Sequence, residues 1–409
     1  MAKTPSQSLQ LNQPVLVTGL GIFNSAGRNA NEFFESIKFG AALGDYHDVE
    51  GCKLLACAAP EIDTALPEFR VARKMDRLVQ MALHAALEAW GNAKLAVSSV
   101  TADRVAIFAG TSRGPLGKWT ESHQRYSVGK MRPSLAPNTT IACLSGALAV
   151  ALGAQGSAAT ISSACTSSAQ AIAMGAQQIM LGMADIAIVG GSEAPLIPSL
   201  FAQMETAGLL GAHSNPRLAC RPFSTLRNGT ILGEGAAFLI LESQDSVRRR
   251  NAKVLARLAG WAFGTDAGQR TGISQGADSM RNTIISALNM AQMVPQQIDY
   301  FHAHGTGTIV NDQQEARILN EVFPSGVPCS STKPVTGHCM GAAGAMGAVA
   351  GILAMNHGLI PPSANCLPID PAFRIDLVLH AARECEIEAI MTHASGFWGN
   401  TGSLIFSKF

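Results

Sequence analysis

Two kinds of hydrophobic spacing alternate along the chain. Short apolar runs rich in β-branched residues predict strands, and apolar residues that recur every three or four positions predict helices. Strands are predicted at Pro14–Thr18, Arg104–Ala109, Ile186–Val189, Ala236–Leu241, Leu255–Trp261, Ile298–His302, Ile387–Thr392 and Ser403–Phe406, with a further strand beginning at Thr160–Ser163. Helices are predicted at Asn31–Ile37, Met75–Trp90, Ile141–Leu152, Thr166–Leu181, Asp278–Ala291, Gln313–Val322 and Gly341–Asn356. This alternation predicts an α/β protein with layered sheets, although the letters show no internal repeat.

The stretch Asp245–Lys253 is the densest cluster of charge and the best candidate for a connector between two halves. We interpret it as a solvated helix end rather than a binding surface. A chain of 409 residues is also long enough for two domains or one duplicated fold. We therefore expect an N-terminal half over residues 1–250 and a C-terminal half over residues 251–409.

Charge is sparse and unevenly distributed. Asp, Glu, Lys and Arg make up 14% of the residues and leave a net charge of +1, with none from Pro133 to Ala184 or from Pro334 to Ile369. The missing basic excess argues against nucleic acid as a partner, and the hydrophobic content excludes a disordered chain. The most apolar part of these stretches, residues 341–355, is too short and too rich in small residues for a membrane span, so it predicts a buried core helix.

The N-terminal residues and the spacing of the cysteines indicate in which cellular compartment the protein is expected. The first 14 residues are polar and contain no apolar signal region, so secretion is not expected. The nine cysteines are scattered without paired or metal-ligand spacing. We therefore expect a reducing, cytoplasmic location and no metal site.

Cys165 lies in the segment ISSACTSSA, where a predicted strand meets a turn of small residues just before a predicted helix. Unpaired backbone N–H groups and the positive end of a helix favour a thiolate at such a position. Small neighbours also let a ligand approach the sulfur closely. Most free cysteines are inert packing residues, so this context alone leaves both interpretations open.

Two histidines lie in similar small-residue segments. His304 follows the predicted strand that ends at His302 and precedes a Gly-Thr-Gly-Thr loop, whose hydroxyl groups suit an amide-rich ligand better than a phosphate. His338 ends the segment STKPVTGH, where a buried histidine requires a polar partner and Lys333 can supply a fixed positive charge. His302 is interpreted as a packed histidine. One cysteine and two histidines are compatible with thioester chemistry, but their spacing does not show that they converge.

Short motifs carry a resemblance over nearly the whole chain. They are VTGLG (17–21), RKMD (73–76), ACTSS (164–168), VGGSEA (189–194), RPF (221–223), LGEGA (232–236), AHGTGT (303–308), STKPVTGH (331–338), GAAG (341–344) and GSLIF (402–406). The chain resembles the β-ketoacyl-[acyl carrier protein] synthases, specifically the elongating synthase I/II group of the thiolase superfamily. The resemblance implies a thiolase-like α/β fold, with two similar halves in a five-layer α-β-α-β-α arrangement. The nucleophilic cysteine would lie in the N-terminal half, and the two histidines and the lysine in the C-terminal half.

The resemblance implies a role for each residue at a matching position. Cys165 resembles the acyl-accepting nucleophile, and His304 and His338 resemble the pair that promotes malonyl decarboxylation and stabilises the enolate. Lys333 resembles the lysine that holds the electrostatics of the site, and Glu315 resembles the acidic residue near it. The implied reaction condenses an acyl group on Cys165 with malonyl-acyl carrier protein and extends the chain by two carbons.

Other matching positions concern entry of the substrate. Thr306 and Thr308 match the threonines that hydrogen-bond the phosphopantetheine arm. Phe397 matches the gating phenylalanine, whose backbone N–H forms an oxyanion hole with that of Cys165. Because the phosphopantetheine arm arrives on the carrier protein, the resemblance implies no metal and no separate cofactor.

The implied partner is acyl carrier protein loaded with the acyl or the malonyl group. This carrier protein is acidic in the family, so Arg70, Arg73 and Lys74 form a candidate docking patch, which an ordinary solvated helix start explains equally well. A homodimer is expected, and a heterodimer with a related subunit is the alternative.

The chain departs from the family pattern at four positions. Gly347 stands where a glutamate near the active-site lysine is usual, Trp398 stands where the gate loop usually has glycine, and Asn228 replaces a common aspartate. Arg113 stands at an acyl-pocket position that is usually aliphatic in synthase II, and it predicts a shortened pocket or a polar acyl chain. These departures favour a specialised synthase of polyene, polyketide-like or secondary lipid assembly over the housekeeping fatty-acid enzyme.

Three other functions compete with this interpretation. A chain-length-factor-like partner subunit usually lacks the nucleophile, which is present here as Cys165. A thiolase needs a second cysteine in its C-terminal loop, and Gly396–Gly399 has none. An unrelated cysteine hydrolase would have one histidine and a polar orienting group in place of two histidines and a lysine.

Overall fold

The computed structural model describes residues 13–95, 101–268, 270, 276 and 278–409. Its strands are β1 (Val15–Asn24), β2 (Asp45–Val49), β3 (Cys52–Cys57), β4 (Val105–Gly110), β5 (Ala158–Ile161), β6 (Ile186–Glu193), β7 (Leu232–Gly233), β8 (Gly235–Ser243), β9 (Ala256–Thr265), β10 (Tyr300–His302), β11 (Pro328–Ser330), β12 (Leu359–Ile360), β13 (Asp376–Leu377), β14 (Arg383–Glu384), β15 (Ala389–Ser395) and β16 (Asn400–Ser407). Its helices are α1 (Ala30–Phe39), α2 (Arg77–Asn92), α3 (Leu116–Ser127), α4 (Leu135–Asn138), α5 (Cys143–Leu152), α6 (Ser167–Met180), α7 (Pro198–Thr206), α8 (Gln244–Arg250), α9 (Ser279–Ala291), α10 (Ile309–Val322), α11 (Lys333–Thr336) and α12 (Ala343–His357).

Two groups of five strands have the same topology. In the first group the order across the sheet is β5-β4-β6-β8-β1, with parallel pairs among β5, β4 and β6 and antiparallel pairs among β6, β8 and β1. In the second group the order is β11-β10-β15-β16-β9, with the same sequence of parallel and antiparallel pairs. Pairing between β1 and β9 over Val15–Val17 joins the groups into one sheet. The fold is therefore internally duplicated, although the sequence shows no repeat.

The helices form three layers around these strands. Helices α2 and α5 pack on the outer face of the first group, and α9 packs with α10 on the outer side of the second group. Helices α6 and α12 pack against each other and against strands of both groups, and the apolar cluster around them lies between the two groups. This arrangement agrees with the predicted five layers.

The two uncharged stretches contribute the helices of the middle layer. Helix α12 is buried from Gly344 to Met355, so it has no polar face. Its glycines let neighbouring strands approach closely, since a Cβ added at Gly351 would lie 2.5 Å from Ile390 Cδ1. The predicted buried core helix is confirmed. In the described part of the chain, no helix is long and apolar enough to cross a membrane.

Two expectations about the ends of elements are wrong. Strand β1 continues to Asn24, beyond the predicted end at Thr18. Its glycines do not end the strand but let α2 lie against it, because a Cβ at Gly19 would come 2.1 Å from the Ala89 carbonyl oxygen. Helix α10 begins at Ile309, earlier than the predicted Gln313.

The charged stretch 245–253 is more than a solvated helix end. It forms most of α8, which connects β8 to β9. Arg250 pairs with the fully buried Glu242, with Nη2 to Oε1 at 2.5 Å and Nε to Oε2 at 3.0 Å. Part of this charge therefore fixes the connector to the sheet, because a buried carboxylate requires a paired cation. The division at residue 250 itself stays a prediction.

Candidate active site

Cys165 lies in a tight turn between β5 and α6. The backbone N–H groups of Thr166 and Ser167 donate to the carbonyls of Ser163 and Ala164 at 3.2 and 3.3 Å, and the Ser167 hydroxyl also donates to the Ala164 carbonyl at 2.6 Å. Ala164 has a φ of +52°, a left-handed conformation that residues other than glycine seldom adopt. The turn places the buried cysteine immediately before α6, as the sequence predicts.

His338 approaches Cys165 from the other half of the fold. Its backbone N–H donates to the Ile231 carbonyl at 2.8 Å, which fixes the segment between α11 and α12. Gly337 has a φ of +67°, and a Cβ there would lie 2.6 Å from Gly233 Cα, so this turn requires glycine. His338 Nε2 lies 3.1 Å from Cys165 Sγ, within hydrogen-bond distance for sulfur.

His304 completes a cluster of three side chains. It follows β10, and its ring centroid lies 5.2 Å from that of His338, with the ring planes at 85°. Ligand atoms of Cys165, His304 and His338 all lie within 4.8 Å of one another. Cysteine and two histidines at this separation also resemble a zinc ligand set, but the positive charge of the neighbouring Lys333 disfavours a cation there.

Lys333 is buried at the start of α11, and its amino group donates to the backbone carbonyl of His304. Burial, followed by the charge of Lys333, lowers the pKa of both His304 and His338 well below the ordinary value. Both imidazoles are therefore neutral near pH 7. Neutral rings offer one N–H donor and one acceptor nitrogen each, which suits the polarisation of a thioester oxygen.

Glu315 holds the backbone that carries His304. Its two oxygens accept hydrogen bonds from the N–H groups of His304 and Gly305 at 2.6 and 2.7 Å. Burial raises the pKa of Glu315 to about 7, and these N–H groups and Lys333 oppose that shift. Glu315 thus interacts with Lys333 through its charge while its oxygens fix the loop.

The protonation state of Cys165 differs from the sequence-based expectation. The position before a helix predicts a stabilised thiolate, yet burial raises the pKa of the thiol to about 12, against the lowering by the Lys333 charge. Desolvation outweighs the nearby positive charge because the thiol is buried. The resting group is a thiol in contact with the neutral ring of His338.

A cavity of about 330 Å³ opens onto these three side chains. Thr306 and Thr308 line it, and their hydroxyl oxygens lie 2.8 Å apart. Ser112 and Phe397 line it as well. The cavity therefore offers hydroxyl groups along an apolar wall, with the sulfur and both imidazoles on its surface.

The C-terminal loop covers Cys165 closely. A Cβ added at Gly396 would lie 2.8 Å from the Cys165 nitrogen. Phe397 is half-buried, and Trp398 is exposed with a φ of +61°. The Trp398 N–H donates to the Arg270 carbonyl at 3.0 Å, and its carbonyl accepts from the Thr265 hydroxyl at 2.8 Å. These two backbone bonds fix residue 398 to the end of β9 and to the segment that follows it.

Arg113 lies beside the gate rather than among the cavity-lining residues. Its guanidinium carbon lies 5.9 Å from the Phe397 ring centroid, and its backbone N–H donates to Glu193 at 3.0 Å. Its Nε is buried and has no hydrogen-bond partner among the described residues. The side chain therefore places an unsatisfied donor and a charge next to the phenylalanine that borders Cys165.

The three candidate docking residues, Arg70, Arg73 and Lys74, are all exposed just before α2. Arg73 donates from Nε to the Thr64 carbonyl and from Nη2 to the Ala65 carbonyl, both at 2.8 Å. Arg73 therefore has a structural role in holding the preceding loop.

Sequence reasoning missed two carboxylates that organise the site. Asp312 accepts hydrogen bonds from the N–H groups of Phe223, Thr306 and Gly307 at 2.8–3.2 Å. Its position three residues before Glu315, at the start of a helix, is the signal that would have identified it.

The second missed carboxylate is Glu193, which belongs to the VGGSEA motif but was given no role. It is fully buried and accepts from the N–H groups of Ser112, Arg113 and Gly341 at 2.6–3.0 Å. It therefore ties the loop after β4 to the segment before α12.

Asn228 lines the cavity, and its side chain forms hydrogen bonds with the N–H and the carbonyl of Ala212. Its Nδ2 donates to the Ala212 carbonyl at 2.9 Å, and its Oδ1 accepts from the Ala212 N–H at 3.4 Å. A carboxylate offers no donor, so an aspartate could not make the first of these bonds.

The fold and this site define a condensing enzyme of the thiolase-like class. The model of the β-ketoacyl synthase N-terminal domain matches residues 12–246, and that of the β-ketoacyl synthase C-terminal domain matches residues 255–367. The chain therefore belongs to the β-ketoacyl synthase family. This confirms the recognised family and the expectation of a condensing acyltransferase.

The similarity to relatives and to solved structures extends over nearly the whole chain. The chain is 31% identical over 420 residues to a putative polyketide β-ketoacyl synthase 1 of Streptomyces halstedii, covering 97% of this chain and 98% of the relative. It is 28% identical over 414 residues to 3-oxoacyl-[acyl-carrier-protein] synthase 2 of Staphylococcus aureus strain COL, with 97% and 99% covered. These relatives are consistent with both fatty-acid and polyketide synthases.

Two solved structures confirm the predicted fold class. A chain of the ishigamide ketosynthase/chain length factor superposes with a TM-score of 0.89 at 30% identity, covering 97% of this chain and 99% of that chain. A chain of a ketosynthase in complex with its chain length factor from Xenorhabdus doucetiae gives a TM-score of 0.83 at 26% identity, with both chains fully covered.

Proposed function

We propose that this chain is a 3-oxoacyl-[acyl carrier protein] synthase that condenses an acyl group held on Cys165 with malonyl-acyl carrier protein. The observation that carries the proposal is the contact between Cys165 Sγ and His338 Nε2 at 3.1 Å, in a cavity that His304 also lines. The product is a 3-oxoacyl chain two carbons longer, and carbon dioxide is released.

The first step moves the acyl group from the carrier-protein thioester to Cys165. Because burial keeps the sulfur protonated, His338 Nε2 accepts the thiol proton as Sγ attacks the thioester carbonyl. Collapse of the tetrahedral intermediate expels the phosphopantetheine thiolate, which takes this proton and leaves as a thiol. The resemblance assigns the oxyanion hole to the backbone N–H groups of Cys165 and Phe397.

The second step generates the nucleophile from the malonyl group. As the C–CO₂ bond breaks, its electron pair moves into an enolate whose charge develops on the thioester oxygen. The neutral rings of His304 and His338 donate hydrogen bonds to that oxygen, where such donors are most effective in a dry site. His338 donates in the tautomer that carries its proton on Nε2, whereas the first step uses the tautomer in which Nε2 is the acceptor. The enolate carbon then attacks the acyl-Cys165 carbonyl, and the C–S bond breaks to return the thiolate, which takes up one proton from solvent water.

The carrier protein supplies the reactive arm, so the proposal includes no separate cofactor and no metal. The hydroxyl groups of Thr306 and Thr308 border the cavity and suit the amides of a phosphopantetheine arm. Arg70, Arg73 and Lys74 remain the proposed docking patch for an acidic carrier protein. A cytoplasmic location is retained as part of this proposal.

We further propose that two copies associate through β5. This strand ends the sheet and, among the described residues, pairs only with β4, and it contains no charged residue that would discourage pairing. Val150 on the neighbouring α5 is 71% exposed, and Met183 after α6 is 57% exposed. Ala158→Lys is expected to lower the mass in solution from dimer to monomer, whereas Ala158→Ser leaves it unchanged.

A partner subunit resembling a chain length factor is the second candidate, because two of the similar structures contain such a subunit. That role needs neither a nucleophile nor paired imidazoles. The assembled contact of Cys165 with His338 therefore favours a catalytic subunit, in a homodimer or beside a related chain.

Intact mass after incubation with acyl-carrier proteins of several chain lengths tests the function. We expect one acyl group per chain in the wild type and in Cys385→Ala, a control cysteine away from the cavity, and none in Cys165→Ala. Cys165→Gln, which mimics the acylated side chain, is expected to retain malonyl decarboxylation. Folded wild-type protein that accepts no acyl group would support the partner-subunit role instead.

Arg113 is proposed as the residue that selects a polar acyl group. Arg113 lies behind Phe397 and does not line the cavity, so the proposal requires the Phe397 side chain to move when the acyl group enters. An acyl chain with a hydrogen-bond acceptor would then satisfy the buried Nε, while a purely aliphatic chain leaves that donor unpaired. Matched acyl-carrier proteins with and without an oxygen in the acyl group test this idea in wild type, Arg113→Lys and Arg113→Ile. An identical substrate profile for all three proteins would remove Arg113 from the acyl pocket.

A further inference from the structure

The ring of His302 occupies space that a side chain at position 347 would need. Gly347 lies in α12, and a Cβ added there would come 2.9 Å from His302 Nδ1 and 3.3 Å from its Cε1. Contacts below 3.0 Å force a neighbour to move, and the neighbour here is a fully enclosed ring. Glycine at 347 and histidine at 302 therefore fit each other.

The opposite edge of the same ring contacts the turn that carries Lys333. His302 Nε2 lies 3.2 Å from the Thr332 hydroxyl oxygen. The Thr332 carbonyl accepts from the N–H groups of Val335 and Thr336 at 2.9 and 3.0 Å, so Thr332 starts α11. A shift of His302 therefore moves the first turn of α11.

Two bonds join the end of β10 to this turn. One is the contact of His302 with Thr332, and the other runs from the Lys333 amino group to the His304 carbonyl. The first fixes the backbone of the lysine turn, and the second fixes the charged end of the side chain. Together they determine where the positive charge lies relative to the two catalytic imidazoles.

His302 and Gly347 also determine which charges surround Lys333. His302 is buried, and burial followed by the Lys333 charge lowers its pKa to about 3, so the ring is neutral. Gly347 adds no charge from α12. The carboxylates of Glu315 and Asp312, both on α10, act on the lysine through their charge. Because α12 adds no further carboxylate at position 347, the charge of Lys333 is less compensated than it would be with an acidic residue there, which favours an anionic substrate group.

We propose that His302 and Gly347 form a complementary pair in which His302 is a positioning residue, holding Lys333 through Thr332 for the malonyl half-reaction. The geometric part of this inference stands by itself, and the part about the malonyl group rests on the proposed function. His302 contacts no reacting atom in this scheme and acts only through the lysine turn.

Thermal unfolding of four variants tests the packing. Gly347→Ala is expected to lower the melting temperature, because its methyl group collides with the His302 ring. In the His302→Ala background the same change is expected to be neutral or stabilising, since alanine is the better helix former. Gly351→Ala is the matched control on the same helix, because its Cβ meets Ile390 at 2.5 Å and His302→Ala cannot relieve it.

Half-reactions measured separately test the positioning role. His302→Leu fills the space without a hydrogen bond to Thr332, and His302→Gln provides an amide that reaches it. For His302→Leu, malonyl decarboxylation is expected to fall between about tenfold and about a hundredfold, the cost of a misplaced group, while acylation of Cys165 is retained. His302→Gln is expected to recover most of the decarboxylation rate.

Three outcomes would overturn the inference. These are an equal loss of melting temperature for Gly347→Ala with and without His302, decarboxylation unchanged in a folded His302→Leu protein, and a folded His302→Gln protein as slow as His302→Leu. Wild-type protein inactive in both half-reactions would refute the proposed function instead, and the packing experiment would still decide the fit between the two residues.

Discussion

Burial and the helix terminus have opposite effects on the pKa of the Cys165 thiol. Burial raises the pKa of the thiol from 9.0 to about 12, which corresponds to about 4 kcal/mol against the thiolate. A helix N-terminus stabilises an anion by about 0.3–1 kcal/mol, and by about 2 kcal/mol in favourable buried sites. The cost of burial is larger, so we expect about one thiolate in 10,000 molecules at pH 8.

This balance is tested with His338→Ala, which removes the imidazole that lies within hydrogen-bond distance of the sulfur. In the variant, alkylation of Cys165 by iodoacetamide requires the free thiolate. Its rate is therefore expected to rise about tenfold for each pH unit from pH 6 to pH 9. In the wild type, the neutral ring accepts the thiol proton, so the rate is expected to depend weakly on pH in the lower part of this range.

Mass spectrometry of the Cys165 peptide follows the reaction, and the exposed Cys52 in the same sample controls for the reagent. The difference between the two proteins is expected to be greatest near pH 6 and to shrink as the pH rises. A rate in His338→Ala that levels off below pH 8 would refute the reasoning, because the helix terminus would then outweigh desolvation.

Three further substitutions test the support of the site, and a fourth on α2 serves as a control. Glu315→Gln turns an amide N–H toward a backbone N–H, and we expect it to lower the free energy of unfolding by about 1–3 kcal/mol in urea titrations and to slow malonyl decarboxylation. Asp312→Asn is expected to raise the KM for acyl-carrier protein more than it lowers kcat, since it loosens the loop of Thr306; an unchanged KM would contradict this role. Gly396→Ala should slow acylation of Cys165 because of its Cβ contact at 2.8 Å, whereas Gly91→Ala, which meets no atom within 4 Å, should stabilise α2 by about 0.5–1 kcal/mol. Equal acylation rates for the two alanine variants would show that the gate loop tolerates a side chain.

Local pattern predicted most of the elements but not their pairing. The apolar runs at Arg104–Ala109 and Ile186–Val189 became neighbouring strands β4 and β6, and the buried helix near 341–356 became α12. The resemblance implies two similar halves, but the letters show no repeat, because the halves share strand order and direction rather than residues. Hydrogen bonds of a sheet join backbone groups, so two unlike sequences satisfy the same topology.

The short elements were missed for a related reason. Strands such as β12 and β14 have two residues each, too few for a recognisable alternation. The extension of β1 through Gly19 and Gly21 was also missed, because glycine lowers the propensity of a segment to form a strand. The two glycines are explained only by the close approach of α2, which the sequence does not show.

The sequence by itself determined the class of protein, since the ordered motifs and the segments around Cys165, His304 and His338 are local features. The tertiary structure decided the state of these groups. It brought Sγ and Nε2 within 3.1 Å across 173 positions, and it buried the thiol so that its pKa rises instead of falling. It also showed that Gly347 leaves room for His302. Desolvation and steric fit depend on which segments enclose a group, and residues distant in sequence supply those segments.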